Sequence, residues 1–182
     1  MDIREMRQLS LRYSFPFKFF ELIQFGAQDV LNNFFSFSEV FSRIKELNLF
    51  ASSEFYLKSI SVGYKQDEFG NYLIALFQES DYEQISFNHL IEEYEFPAER
   101  YKLSNMAPYW RTTPRYIDPE IMHQTIQAAL KLHISNTAEI YRFCNPTIKE
   151  RFCSSGIWED LQHYLCIDRD RKLIQLITSG FD

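Results

Sequence analysis

Hydrophobic positions along this chain change period several times, and each change predicts an element. The clearest helical signal starts at Ser36. There Ser36-x-x-Glu39 has the spacing of a capping box, and Phe37, Val40, Phe41, Ile44 and Leu47 then share one face. This stripe lies in a first segment, residues 1–50, that holds ten of the eighteen phenylalanines and reads as helical. From residue 54 the period falls to two. Tyr56, Ile60, Val62 and Tyr64 lie on one strand face, Gly70-Asn71 supplies a turn, and Tyr72–Gln78 reads as a second strand buried on both sides. A central antiparallel β-hairpin is predicted over 54–79.

Helical patterning returns at Phe87–Tyr94. An irregular segment, Phe96–Pro119, follows and holds four of the six prolines. Asp118-Pro119 then places a capping aspartate before a proline at the first helical position. The stripe behind it is Ile121, Met122, Thr125, Ile126, Ala129, Leu130 and His133. Asn145-Pro146 opens a shorter helix in the same way, and Trp158–Cys166 reads as helical. Lys172–Thr178 is strand-like and pairs with Tyr164–Asp168 across Asp168-Arg169-Asp170-Arg171. Helices first, strands in the middle and helices after them predict an α+β fold. It has a helical N-terminal part, a central hairpin and a C-terminal strand pair. With 182 residues, 46% of them hydrophobic, and only five glycines, residues 1–182 read as a single globular domain.

Charge adds what periodicity does not. The chain carries 19 basic and 25 acidic residues, a net −6, which excludes a strongly basic nucleic-acid binder. The imbalance is local. Residues 66–99 contain no Lys or Arg and nine acids: Asp67, Glu68, Glu79, Asp81, Glu83, Glu92, Glu93, Glu95 and Glu99. The remainder of the chain is net positive. A single-sign field of this kind steers a cationic partner and repels phosphate backbones. Residues 100–117 then carry four bases and no acid, interleaved with aromatics, and Tyr109-Trp110-Arg111 has the composition of a binding hot spot. Asp81, Glu83, Glu92, Glu93, Glu95, Glu99, Tyr109, Trp110 and Arg111 are therefore the candidate partner-binding residues. The partner they imply is a basic protein, such as a nuclease-like toxin domain. A solvated acidic face without a partner is the competing reading.

Candidate chemistry is sparse. Glu120-x-x-His123 and Asp160-x-x-His163 have a spacing that puts two metal ligands on one side of a helix, and His89 lies near Glu92 and Glu93. His133 falls near the centre of an apolar stripe, as a core histidine does. Cys153 is a nucleophile only if a base folds against it. The Phe-rich first third can line a site for an apolar ligand. No phosphate-binding glycine loop or hydrolase motif is present, so neither a cofactor nor a metal is expected. Cys144, Cys153 and Cys166 form an odd set without Cys-x-x-Cys spacing, which suits reduced thiols in a cytoplasm. The N-terminus lacks the apolar core of a secretory signal, and Phe15–Phe25 is too short and too polar to span a bilayer. A non-enzymatic, acidic, protein-binding inhibitor, in one form a cytoplasmic immunity protein, is the leading expectation. A small metal or thiol enzyme, an apolar-ligand binder and an exported effector are the alternatives.

Overall fold

A computed structural model describes residues 7–15, 18–52, 77–96, 118–147, 149 and 160–181. Its centre is one six-stranded sheet, built from β1 (Arg7–Phe15), β2 (Lys18–Gly26), β3 (Tyr82–Ile85), β4 (Glu139–Phe143), β5 (Asp160–Asp168) and β6 (Leu173–Phe181). The strand order is β1-β2-β6-β5-β4-β3, and every neighbouring pair is antiparallel. The described residues also form four α-helices, α1 (Gln28–Asn33), α2 (Phe37–Glu46), α3 (Phe87–Glu93) and α4 (Pro119–His133), with 3-10 turns at Leu49–Ser52 and Glu79–Asp81 and helical backbone at 146–147 and 149.

The sheet has two buried faces. On the first, Phe19, Ile23 and Phe25 of β2 meet Leu165 and Ile167 of β5, Ile174 and Leu176 of β6, and the Val40, Phe41 and Ile44 stripe of α2. On the second, Phe20, Leu22, Tyr164, Cys166 and Ile177 pack under Leu90 of α3 and Met122, Ile126 and Leu130 of α4. Strands covered on both faces lose the polar alternation that marks a half-exposed strand.

That physics overturns the predicted fold class. The N-terminal part is not helical: residues 7–15 and 18–26 form the antiparallel strands β1 and β2, with Leu11 opposite Leu22 and Tyr13 opposite Phe20. The molecule is β-rich, organised by a six-stranded antiparallel sheet rather than by a helical first half and a central hairpin. Lys18–Gly26 is apolar on consecutive positions because β2 lies between β1 and β6 and is covered above and below. Trp158–Cys166 is corrected in the same way. From Asp160 the backbone is strand, in register with β6 from Asp160 opposite Phe181 to Asp168 opposite Leu173. The predicted pairing across Asp168–Arg171 is therefore present and longer than expected. The hairpin over 54–79 falls almost wholly outside the described residues. β3 and β4 are strands that the periodicity did not predict.

The helices fare better. α2 has the Ser36–Glu39 capping box, with Glu39 N–H donating to Ser36 Oγ and Glu39 Oε2 accepting from Ser36 N–H. α4 is capped by Asp118, whose Oδ1 accepts from Glu120 N–H, with Pro119 at its start. Its stripe is turned from the predicted one. His123 rather than His133 is buried, and Ile121 is exposed.

Candidate functional site

At the β3 edge of the sheet, one guanidinium joins two of the acidic side chains that the sequence singles out, Glu83 and Glu93. Arg142 comes from β4, where Ile140 points into the second core and Tyr141 and Phe143 into the first. Alternation therefore sets Arg142 on the second face, beside α3. Its Nε donates to Glu83 Oε1 at 2.7 Å, its Nη2 donates to the same oxygen, and its Nη1 donates to Glu93 Oε1. Glu93 Oε2 accepts from the buried Tyr164 hydroxyl, and His89 Nε2 lies 3.3 Å from Glu93 Oε1.

Charge and burial act on each other here. Burial opposes the charge on Arg142, but hydrogen bonds to Glu83 and then Glu93 outweigh it and raise its pKa. Burial, then the neighbouring Tyr94 and Glu93, pushes the Tyr164 hydroxyl well above the ordinary phenol range, so it stays a donor. A second cluster lies beyond β4. Arg169 donates to Glu139 and to the carbonyls of Phe34 and Phe35, and Tyr141 donates to Glu139 at 3.1 Å. The Tyr141 hydroxyl is pushed up to about 12, by burial first and by Glu139 second.

The predicted residues separate into three groups. Asp81, Glu83 and Glu93 serve the fold. Asp81 is buried, accepting from Gln78 N–H at 2.8 Å and Asn145 Nδ2 at 2.7 Å, while its carbonyl accepts from Cys144 N–H. Glu92 and Glu95 are exposed and have no ion-pair partner among the described residues, and the same holds for Glu79 just before β3. Glu99, Tyr109, Trp110 and Arg111 lie outside the described residues. Sequence spacing places His89 near Glu93, as the structure does, but misses Arg142 and Tyr164 as partners of Glu83 and Glu93. The segment Glu139–Phe143 gives no local sign of Arg142's position, because Ile140 and Tyr141 are consecutive buried residues and the burial pattern does not alternate.

The candidate chemistry does not assemble. Glu120 is exposed and accepts from Gln124, whereas His123 is buried with Nδ1 3.0 Å from the Tyr94 carbonyl. Asp160 and His163 stand on a strand and not on a helix, so the helical spacing that suggested a pair of ligands does not apply. His163 is fully buried, ringed by Phe50, Phe77, Tyr82 and Phe143, with Nδ1 3.2 Å from Thr178 Oγ1. Burial pushes its imidazole down to about 3. Cys166 is buried, and burial, with Asp168 second, raises its thiol far above the ordinary range. Cys153 lies outside the described residues. Among the described residues, no group of three His, Cys, Asp or Glu side chains is placed to hold a metal ion. No helix there is long and apolar enough to cross a membrane.

The Phe-rich segment forms packed core. Phe19, Phe20, Phe25, Phe41 and Phe50 are buried between the sheet and its helices, and Phe35 is exposed. Comparison with protein-family models, curated proteins and solved structures finds no match to this chain.

Proposed function

We propose that this is a non-enzymatic interaction protein that holds and blocks a basic protein partner at the β3 edge of its sheet. One observation carries the reading. Residues 77–96 contain six carboxylates and no Lys or Arg, and a single guanidinium, Arg142, serves two of the six. Glu79, Glu92 and Glu95 are left exposed and without an ion-pair partner among the described residues. The Arg142 network and the Asp81 cap hold the backbone from which they project. An edge on which carboxylates outnumber cations raises the encounter rate with a cation and disfavours anions.

The partner suited to it carries a basic surface of the kind that grips phosphate backbones. A cytoplasmic protein neutralising a nuclease-like toxin is the concrete form. In this reading Glu92 and Glu95 steer and contact the partner, while Glu99, Tyr109, Trp110 and Arg111 extend the contact. The test is affinity capture from the native cell, followed by association kinetics of the captured partner at rising salt. Association should slow steeply with ionic strength, and the double reversal Glu92→Lys, Glu95→Lys should abolish it. A salt-independent rate, or full binding by the reversal variant, overturns the proposal.

A further inference from the structure

On the β1 side of the sheet, away from the acidic edge, a groove of about 650 Å³ opens where β2 runs into α1 and where the β5–β6 turn comes alongside. That volume is within the range of small-molecule sites, roughly 300–1,000 Å³. Its lining is mixed. Val30, Phe34 and Leu47 supply an apolar floor, and Arg43, Arg171 and Lys172 supply cationic walls.

The three cations are held differently. Arg171 is fixed: its backbone N–H donates to Asp168 Oδ1 at 2.8 Å, its Nε donates to Asp168 Oδ2, and its Nη2 donates to the His133 carbonyl at 2.9 Å. Asp168 is buried, so this guanidinium is anchored from below, and its Nη1 has no hydrogen-bond partner among the described residues. Arg43 is bonded through Nη1 to Glu46 on the exposed side of α2, a pair that water screens. Lys172 has no ion pair or side-chain hydrogen bond with any described residue.

Lys172 also occupies an unusual backbone position. Its φ is +56°, in the left-handed region that glycine enters most easily. Its carbonyl accepts the Ala27 N–H at 2.8 Å, tying the turn to the start of α1. A glycine would serve this turn with less strain, yet a lysine that lines the groove stands there. Backbone strain of this kind collects at ligand sites. Of the described lining residues, Asp29 is the one carboxylate, exposed and available to accept from a ligand hydroxyl or amine.

We propose that this groove binds a small organic anion, its phosphate or carboxylate group held by Lys172, Arg43 and the anchored Arg171, its apolar part resting on Val30, Phe34 and Leu47. The site is independent of the β3 edge. Phosphate and carboxylate share the chemistry that guanidinium and ammonium groups recognise. The probes are therefore inorganic pyrophosphate and citrate, titrated at constant ionic strength by calorimetry and by amide chemical shifts of residues 26–33 and 172. At least one probe should saturate, and the tighter one identifies the anion. Lys172→Gly relieves the left-handed residue, so the variant keeps its fold, and it should weaken binding by about tenfold. Arg43→Gln should act in the same direction, and Glu92→Lys should leave binding unchanged. The proposal is overturned if neither probe saturates, or if Lys172→Gly, shown folded by its melting curve, binds within about twofold of wild type.

Discussion

Replacing Arg142 with methionine tests whether one guanidinium holds the β3 edge together. The side chain keeps a comparable apolar stem and loses its charge and all its donors. Two contributions are lost. The bonds to Glu83 lie at a half-exposed carboxylate, where screening limits a pair to below about 1 kcal/mol. The bond to Glu93 is worth more. Its side chain is 18% exposed and backed by the buried Tyr164 hydroxyl, so losing the guanidinium strands a largely desolvated charge. A hydrogen bond to a charged group contributes roughly 1.5–3 kcal/mol. The total, about 3 kcal/mol, is a large part of the roughly 5–15 kcal/mol by which a domain is stable. Urea denaturation at neutral pH measures it, and a cycle with Glu93→Gln isolates the coupling. Because Glu93→Gln removes the stranded charge, the double variant should recover about 1–2 kcal/mol relative to additivity. Additive single effects, or a cost of Arg142→Met below about 0.5 kcal/mol, would refute the reasoning. Arg142→Met also leaves the edge one charge more negative, so association with a basic partner should become faster and more salt-dependent.

Other expectations follow from buried and strained groups. Burial holds the folded His163 imidazole at about 3 against 6.5 for an exposed one. Between those values the unfolded chain binds a proton that the folded chain refuses, so stability falls on acidification, by up to about 1.4 kcal/mol per pH unit. His163→Leu removes this contribution, and denaturation profiles of variant and wild type that run parallel from neutral to acid pH would contradict it. Lys172→Gly should raise the melting temperature, since removing a left-handed non-glycine residue gains about 1 kcal/mol; an unchanged or lower value would place the strain elsewhere. Arg12 Nε donates at 2.7 Å to Glu21, which is 1% exposed, so Arg12→Ala should cost about 1.5–3 kcal/mol in urea denaturation, the contribution of a hydrogen bond to a charged group. Cys166 should resist thiol reagents until the protein unfolds, whereas the exposed Cys144 should react in the native state.

The parts of the fold that were legible in the sequence are those whose stabilisation is local. α2 follows from Ser36, Glu39 and a stripe within eleven residues, and α4 follows from Asp118-Pro119. In both, the cap and the first turn satisfy each other without help from elsewhere. The β5–β6 hairpin was half visible because its turn is short and charged. β2 does not read as a strand because its apolar residues come in adjacent pairs, Phe19-Phe20 and Leu22-Ile23, one member for each covered face, and such pairs separated by single polar residues fit a helix as well. At the site, the lack of bases in residues 66–99 was plain in the sequence. That Glu83 and Glu93 are answered by Arg142, 59 and 49 residues further on, was not.

By itself the sequence determined two capped helices, the β5–β6 turn and an acidic stretch without bases, since each rests on residues a few positions apart. Tertiary structure alone decided that Lys18–Gly26 is a strand, that Asp160–Cys166 is not a helix, and which carboxylates are neutralised. The reason is that β2 is covered on both faces and pairs with β6, so its conformation is set by partners about 150 residues away. The same long-range pairing carries Arg142 to Glu83 and Glu93, and sets Lys172 and Arg171 beside α1.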